Sequence, residues 1–308
     1  MTYLPPKVSI VVLNWNGRSD TLECLASLEH LDYANYQVIV IDNGSSDDSV
    51  FHIRQRHPHV ELLETGRNLG FSAGCNVGIY RSLEQGADYV WLLNNDTTAD
   101  PGALTSLVGT AIADARTGAT GSAIYSARRP HQLDAWGGGR INFWLGRSRH
   151  ALRPVPDEAI DFLTGASILI SRTVLERMGL LDEGFFMYWE DADYCYRLRR
   201  AGFRIAVAGE SRIWHKGSAS VGKASPQMDT YFNASAARFF RRHARLPQIS
   251  LWTGVLLRLA KRLLAGKWDH ARAVWTGVTS QNLPDERAFQ SAGSEFRFVA
   301  PYKSAPPE

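Results

Sequence analysis

The sequence predicts an α/β fold in which a mostly parallel sheet carries helices on both faces. Two observations lead to this fold class. Over residues 8–113 the chain repeats four rounds of an apolar strand, a polar turn and a helical stretch. The strands are continuous apolar runs, as expected where both faces of a sheet are covered. Strands that alternate with helices in this way favour a doubly wound parallel arrangement.

The elements are predicted in chain order as follows. We expect strands at 8–13, 38–41, 61–64 and 89–93, and helices at 19–28, 49–56, 72–84 and 103–113. Residues 128–156 are rich in arginine, glycine and proline, which favours an irregular insertion or a hairpin across the sheet edge. Beyond it we expect a strand within 162–170, a helical stretch at 175–178, a helix near 191–198 and a short strand at 204–208.

Composition limits the classes of function. The 308 residues are 44% hydrophobic and 21% charged, which suits one large folded domain with or without an appendage. The net charge of +3 is too small to predict a nucleic-acid partner. Three scattered cysteines favour a reducing compartment without a disulfide framework. No signal-like leader or membrane-spanning run occurs, so we expect a cytoplasmic protein.

Polar residues follow the predicted strands at the point where each strand ends. Asn14, Asp42 and the run Asn94-Asn95-Asp96 hold these positions. Right-handed crossovers bring the carboxyl ends of parallel strands to one edge, where ligands bind. The alternative is a set of ordinary Asn/Asp turns. Glycine-rich phosphate loops are absent from the sequence, so a nucleotide's phosphates would need another partner, such as a metal.

Three acids, Glu190, Asp191 and Asp193, follow a run of five bulky apolar residues. Helical spacing places Asp191 on the same face as buried neighbours, and a partly desolvated carboxylate there suits a general base. The alternative is that Glu190 and Asp193 only cap the helix. His215 follows near a strand end, where a lone histidine is usually structural.

The C-terminal part is basic. Residues 234–278 contain nine Lys or Arg side chains and one acid. Trp252, Val255, Leu256, Leu259 and Leu263 recur at helical spacing with Arg258, Lys261 and Arg262 between them. This pattern fits a helix on an anionic membrane surface, and it equally fits a helix packed on the preceding domain. We expect residues 300–308 to be disordered.

Together these motifs resemble the inverting family-2 glycosyltransferases of the GT-A fold, a Rossmann-like architecture, and among them the bacterial rhamnosyltransferase-like group. The resemblance covers residues 7–220. Its motifs occur in the family's order: Val8-Ser9-Ile10-Val11-Val12-Leu13-Asn14-Trp15-Asn16, Val40-Ile41-Asp42-Asn43-Gly44-Ser45-Ser46-Asp47, Asn68-Leu69-Gly70-Phe71, Leu92-Leu93-Asn94-Asn95-Asp96, Thr164-Gly165, Glu190-Asp191-Ala192-Asp193 and Trp214-His215.

The resemblance implies a role for each matching position. Asp191 would be the general base with Glu190 beside it, and Asp96 and His215 would bind Mg²⁺ or Mn²⁺ on the donor diphosphate. Asp42 would hydrogen-bond the base edge. The remaining nucleotide contacts would come from Leu13, Asn14, Asn16, Arg67, Asn68, Asn94, Asn95 and Lys216. The acceptor would be bordered by Thr164, Gly165 and Trp189. Asn94 departs from the family pattern, in which an acid is usual.

We therefore expect a metal-dependent hexosyltransferase that moves L-rhamnose from dTDP-L-rhamnose to a lipid-linked or polysaccharide acceptor in cell-surface glycan synthesis. It would act peripherally on the cytoplasmic face of the plasma membrane. The expected parts are a GT-A domain (1–224, with nucleotide binding at 7–125 and acceptor binding at 126–224), a basic helical region (225–299) and a tail (300–308). A UDP- or GDP-sugar donor, a sugar nucleotidyltransferase, a non-catalytic sugar-nucleotide binder and a homo-oligomeric state remain open.

Overall fold

The computed structural model describes residues 5–217 and 225–279. The predicted tail at 300–308, and the part of the predicted helical region beyond 279, lie outside the described residues.

The first half of the chain forms the predicted parallel part of the sheet. Its strands are β1 (Val8–Asn14), β2 (Tyr36–Asp42), β3 (Glu61–Glu64) and β4 (Tyr89–Asn94), in the spatial order β4-β1-β2-β3. The helices that accompany them are α1 (Arg18–Leu28), α2 (Ser49–Arg56), α3 (Gly70–Glu84) and α4 (Ala103–Ala113). Because the strands are parallel, their carboxyl ends, with Asn14, Asp42 and Asn94, meet at one edge.

The second half of the chain extends the sheet with mixed strand directions. It contributes β5 (Thr97–Ala99), β6 (Thr117–Ser126), β7 (Arg129–Trp136), β8 (Gly138–Asn142), β9 (Arg147–His150), β10 (Phe162–Leu163), β11 (Ser167–Ser171) and β12 (Arg204–His215), with helices α5 (Arg172–Met178) and α6 (Glu190–Arg200). Strand β11 runs antiparallel between β4 and β6, and β12 pairs with both β5 and β6.

Two sequence predictions are corrected here. Of the two alternatives for residues 128–156, the irregular insertion is wrong and the hairpin is confirmed, because β7, β8 and β9 form an antiparallel extension of the sheet within them. The strand predicted at 204–208 continues to His215, since β12 passes through a bulge between Ala208 and Arg212 and then pairs with β5. A bulge interrupts the apolar alternation from which strand length is judged.

Side chains alternate between the two faces of the sheet and fill a core on each. Val11, Val90 and Leu92 face one core with Ile79 of α3. Val12, Trp91 and Leu93 face the other core, where they meet the leucines of α1 and α4. Coverage on both faces is what makes these strands read as continuous apolar runs.

Three helices follow the sheet: α7 (Pro226–His243), α8 (Pro247–Leu264) and α9 (Trp268–Thr279). Ser225 caps α7 by accepting a hydrogen bond from the backbone N–H of Met228 at 3.4 Å. The three helices share a small core of their own, formed by Ala237, Leu251, Val255, Val274 and Val278. Across residues 5–217 and 225–279, none of the helices combines the length and the hydrophobicity needed to cross a bilayer.

A buried ion pair joins α6 to α7. Asp193 is fully buried, and it accepts hydrogen bonds from Nε of Arg197 at 2.7 Å and Nε2 of His243 at 2.8 Å. Arg242 contacts the same carboxylate at 3.2 Å. Burial raises the pKa of Asp193, but the bonds from His243 and Arg197 outweigh it and lower the pKa on balance. Asp193 therefore does more than cap α6, because it holds α7 against the sheet domain.

Candidate active site

A buried hydrogen-bond network orders the polar ends of β1 and β2. Nδ2 of Asn14 donates to Oδ1 of Asp42 at 2.7 Å, and Oδ1 of Asn14 accepts from the Thr21 hydroxyl at 2.7 Å. The second carboxylate oxygen of Asp42 accepts from the backbone N–H of Ser45 at 3.0 Å. Asn14 and Asp42 are 0% and 2% exposed, so this pair stabilises the loops behind the cleft.

Asn16 and Arg67 also lie in the loops behind the cleft. Asn16 has a left-handed φ of 50°, and its Oδ1 accepts from the backbone N–H groups of Ser46 at 2.7 Å and Asp47 at 3.3 Å. The backbone of Arg67 packs against Gly44, where a Cβ would come within 2.4 Å of it. Gly44 also has a φ of +74°, so only glycine suits this close approach.

Lys216 is directed towards α1. Its Nζ forms ion pairs with Asp20 at 2.7 Å and Glu23 at 2.6 Å. Its backbone N–H donates to the carbonyl of Asp96 at 3.0 Å. Two carboxylates neutralise the ammonium, so Lys216 fastens the end of β12 to α1 and to the loop after β4.

A cleft of about 340 Å³ opens at the carboxyl ends of β1 and β4. It brings together the residues predicted for the metal, the base and the acceptor, although they come from distant parts of the chain. The predicted residues that line it are Leu13, Asn68, Asn94, Asn95, Asp96, Thr164, Gly165, Trp189, Glu190, Asp191 and His215. The other predicted residues (Asn14, Asn16, Asp42, Arg67 and Lys216) are outside its lining.

Asp96 and His215 converge because β5 and β12 pair antiparallel, with His215 opposite Thr97. Oδ1 of Asp96 lies 3.0 Å from Nε2 of His215, and Nδ2 of Asn94 lies 3.5 Å from the same nitrogen. A carboxylate and an imidazole this close are a pair of ligand groups. Two protein ligands leave positions for phosphate oxygens and water, as is usual for Mg²⁺, so the residues fit Mg²⁺ or Mn²⁺.

A second group of potential metal ligands lies elsewhere. Glu29, His57 and His59 have ligand atoms within 4.8 Å of one another. Glu29 follows the end of α1 and His57 the end of α2, and these helix ends lie at the edge of the sheet opposite the cleft. None of the three lines the cleft. This cluster therefore has no contact with a donor bound beside Asp96.

On the donor side of the cleft, Asn95 and Asn68 each have one side-chain polar atom in hydrogen bonds to neighbouring residues. Nδ2 of Asn95 donates to the Thr21 hydroxyl at 2.9 Å. Oδ1 of Asn68 accepts from the backbone N–H of Gly70 at 2.8 Å and from Nδ2 of Asn43 at 3.1 Å. These bonds fix the orientation of the cleft wall before any ligand arrives.

Asp191 is held at the amino end of α6. Its Oδ2 accepts from the backbone N–H of Gly165 at 2.9 Å, and its Oδ1 accepts from the backbone N–H of Ala192 at 2.7 Å. Burial raises the pKa of Asp191 in spite of these bonds. Gly165, in the turn before β11, thus positions the carboxylate, and its raised pKa makes it a stronger base than an exposed aspartate.

The residues before Asp191 have a strained backbone. Tyr188 and Trp189 both have left-handed φ values, 70° and 67°. Trp189 and Glu190 are buried, and among the described residues Nε1 of Trp189 and Oε2 of Glu190 have no hydrogen-bond partner. Burial and the neighbouring Asp191 raise the pKa of Glu190 well above the ordinary carboxyl range. Strain and unsatisfied polar groups concentrate at functional sites.

Sequence reasoning missed part of the cleft wall. Ser148 and His150 on β9, and Met228 and Phe232 on α7, line it as well. Burial lowers the pKa of His150, and the negative charge of Asp191 opposes this shift without cancelling it. Ser148 and His150 could have been predicted to act together, because their spacing of two residues puts both on one face of a strand.

Comparison with known proteins gives the family. The model of the glycosyltransferase like family 2 matches residues 5–245. The N-acetylglucosaminyl-diphospho-decaprenol L-rhamnosyltransferase of Mycobacterium tuberculosis is 29% identical over 222 residues, covering 65% of this chain and 72% of that protein. The rhamnosyltransferase WbbL of Escherichia coli is 26% identical over 218 residues, covering 64% of this chain and 79% of that protein.

A solved structure gives the same architecture. The mannosyltransferase PcManGT from Pyrobaculum calidifontis, in complex with GDP-Man and Mn²⁺, superposes with a TM-score of 0.56 and 17% identity, over 95% of this chain and 81% of that chain. At this identity the likeness concerns the fold, which is GT-A. With a family match over most of its length and the cleft described above, the chain belongs to glycosyltransferase family 2.

Proposed function

We propose that this protein is a metal-dependent inverting glycosyltransferase that moves L-rhamnose from dTDP-L-rhamnose to a lipid-linked acceptor in cell-surface glycan synthesis. One observation carries the proposal: the Asp96–His215 pair and the desolvated Asp191 line the same cleft. Displacement at a sugar carbon requires a base that accepts the proton of the acceptor hydroxyl. It also requires groups that stabilise the negative charge of the leaving diphosphate, here a metal held by Asp96 and His215.

The base step follows from the position of Asp191. The acceptor hydroxyl oxygen attacks the anomeric carbon, the bond to the diphosphate oxygen breaks, and the hydroxyl proton passes to Asp191. One displacement inverts the configuration and needs no covalent intermediate. The N–H groups of Gly165 and Ala192 hold the carboxylate in place, while its raised pKa strengthens it as a base. Glu190, Thr164 and Trp189 border the acceptor.

The donor would lie along the other wall of the cleft. Asp96 and His215 would hold Mg²⁺ or Mn²⁺, which when bound neutralises charge on the departing diphosphate. Leu13, Asn68, Asn94 and Asn95 would contact the nucleotide. Asp42 would meet the base edge, in a loop framework that Asn14, Asn16, Arg67 and Lys216 stabilise.

The donor and acceptor identities are supported by the relatives. Two of them are rhamnosyltransferases, and the name of one specifies an acceptor on diphospho-decaprenol. A lipid-linked acceptor would place the enzyme on the cytoplasmic face of the plasma membrane, where the basic C-terminal helices meet anionic lipid.

A donor panel tests the proposal. Purified enzyme receives dTDP-rhamnose, UDP-sugars or GDP-sugars with Mg²⁺, Mn²⁺ or a chelator, and release of nucleoside diphosphate is measured. We expect release from dTDP-rhamnose only with metal, and its loss in Asp96→Ala. Glu29→Gln, in the metal-ligand cluster outside the cleft, is the matched control and should keep both turnover and metal dependence.

Other results would contradict specific parts. Preference for a UDP- or GDP-sugar would remove the rhamnose assignment and leave the transferase intact. Pyrophosphate release from a nucleoside triphosphate would indicate a nucleotidyltransferase. If Glu29→Gln lost metal dependence, the metal site would have to be assigned to the cluster of Glu29, His57 and His59 instead of Asp96.

A further inference from the structure

Helix α8 turns its arginines inward. Nε of Arg258 donates to Oδ1 of Asn233 at 2.6 Å, and Arg262 forms a two-pronged ion pair with Asp229 at 2.7 and 3.0 Å. His270 of α9 contacts the same carboxylate at 2.6 Å. In the sequence, Arg258 and Arg262 stand between the apolar positions of a basic amphipathic helix, and in the structure both bind α7.

The opposite face of α8 is apolar and exposed. It continues onto α9, because the rings of Trp252 and Trp275 lie 6.1 Å apart. Exposure reaches 62% for Leu256, 90% for Leu264 and 70% for Trp268. We call this the α8–α9 surface; its large apolar members are Ile249, Trp252, Leu256, Leu257, Leu263, Leu264, Trp268 and Trp275. Exposed apolar side chains that group on one face in this way are a mark of interaction sites.

The charges around this surface indicate the chemistry of its partner. Arg245, Lys261, Lys267 and Arg272 are exposed on α8, α9 and their flanking turns, against a single acid, Asp269. Apolar side chains with tryptophans among them and cations beside them match a bilayer interface with anionic headgroups. A second copy packed symmetrically on the same surface would bring these cations together, which disfavours self-association.

The α8–α9 surface is connected to the catalytic cleft. The turn between β8 and β9 packs on α8, where Nη1 of Arg258 donates to the carbonyl of Gly146 at 2.9 Å. A Cβ on Gly254 would come within 2.6 Å of that same carbonyl oxygen. This turn carries Trp144, which is 69% exposed, and leads into β9 with the cleft residue His150.

We propose that the α8–α9 surface docks on an anionic lipid bilayer, with its tryptophans and leucines in the interfacial layer and its cations at the headgroups. Docking holds the β9 wall of the cleft close to the membrane, so an acceptor glycan on a lipid reaches Asp191 without leaving the bilayer. The lipid-linked acceptor rests on the proposed function; lipid binding does not.

Vesicle sedimentation of the full chain tests the proposal. We expect binding to phosphatidylglycerol-containing vesicles that is much weaker on phosphatidylcholine alone. Leu256→Glu should lower the affinity at least about tenfold, because it removes apolar contact and adds repulsive charge. Ile112→Glu on α4 is the matched control, since Ile112 is 60% exposed on the other face of the sheet, and its binding should stay unchanged.

Activity assays separate this proposal from the proposed function. Leu256→Glu should keep nucleoside diphosphate release with a short water-soluble acceptor and lose turnover with a lipid-linked acceptor in vesicles. Failure of the full chain to bind anionic vesicles overturns the docking proposal, as does equal loss in Leu256→Glu and Ile112→Glu. A change from dimer to monomer in Leu256→Glu with vesicle binding intact would also overturn it, by assigning the surface to a second copy. Vesicle binding without sugar transfer would contradict the proposed function alone.

Discussion

The two walls of the cleft are built differently. The donor wall is braced by hydrogen bonds: Asn95, which lines the cleft, bonds Thr21, and behind the wall Asn14 bonds Asp42. On the acceptor wall, Trp189 and Glu190 bury polar atoms that have no partner among the described residues. Hydrogen bonds thus brace the donor wall, whereas the acceptor wall buries two polar atoms without partners in the described part of the chain.

On the acceptor wall, the strained turn at Tyr188 and Trp189 is held by packing. Left-handed non-glycine residues cost roughly 1–3 kcal/mol each, so Tyr188 and Trp189 need support from elsewhere. The Trp189 ring packs on Phe239 and Phe240 of α7 with centroid distances of 4.9 and 5.1 Å. Because α7 supplies this support, the helix that carries Asp191 depends on a later part of the chain.

The largest effect is expected from Asp191→Asn. The amide oxygen can still accept from Gly165, while the amide nitrogen cannot accept from Ala192, so the variant loses the base and one of the two bonds that hold the side chain. We expect the transfer rate to fall about 10²–10⁴-fold, with donor affinity nearly unchanged in calorimetry. Asp157→Asn, at a carboxylate outside the cleft lining, is the control and should stay at the wild-type rate. Wild-type turnover in Asp191→Asn would remove Asp191 as the base.

The pH profile distinguishes a base from a positioning residue. Burial raises the pKa of Asp191, and only its ionised form accepts a proton. The wild-type rate should therefore fall as the pH drops through this raised pKa, above the ordinary aspartate value of about 3.9. The residual activity of Asp191→Asn should lack this acid limb. If the rate of the variant still fell at low pH as in the wild type, a group other than Asp191 would be responsible for that fall.

Asp193→Asn tests whether α7 supports the acceptor wall. This variant leaves Arg197, Arg242 and His243 around a neutral amide, so we expect a loss of unfolding free energy of about 3 kcal/mol at neutral pH, measured by urea denaturation. The pKa of Asp193 is lowered in the folded protein, so its stabilisation is present above the unfolded pKa and disappears as the pH falls through the folded one.

The difference between wild type and Asp193→Asn should accordingly shrink in acid. Asp48→Asn, which breaks the exposed pair with Arg18, is the control and should change stability little. If Asp193→Asn matched wild type in neutral urea titrations, the ion pair would not be what fastens α7.

Local pattern was sufficient for the parallel half of the fold. The helices at 49–56 and 103–113 and the strand at 61–64 occur with the predicted bounds, because the alternation of polar turns with apolar positions marks where each element begins and ends. Strand β7 gave no such signal: its first four residues are exposed, so it lacks apolar alternation. The position of such an exposed strand is specified by its partners, here β6 and β8, rather than by its own residues.

The candidate site divides in the same way. The local sequence pattern predicted that Asn14, Asp42 and Asp96 follow strands. It also predicted that they lie at the same edge of the sheet. The 3.0 Å approach of His215 to Asp96 depends on β5–β12 pairing across more than a hundred residues, which only the family resemblance anticipated. Phe232 was missed because α7 was assigned to a separate region, although it lines the cleft.

The smallest effect is expected from Asn94→Asp, which adds a negative charge to the donor wall. Nδ2 of Asn94 lies 3.5 Å from Nε2 of His215, so a carboxylate here adds a charge beside the proposed metal ligands. An extra anion in a half-exposed position contributes about 1 kcal/mol, so we expect the Mn²⁺ concentration for half-maximal activity to fall about fivefold. Asn95→Asp, whose Nδ2 bonds Thr21 at 2.9 Å, is the control and should not tighten metal binding. A similar gain in both variants would indicate general attraction of cations to the cleft rather than a ligand position at Asn94.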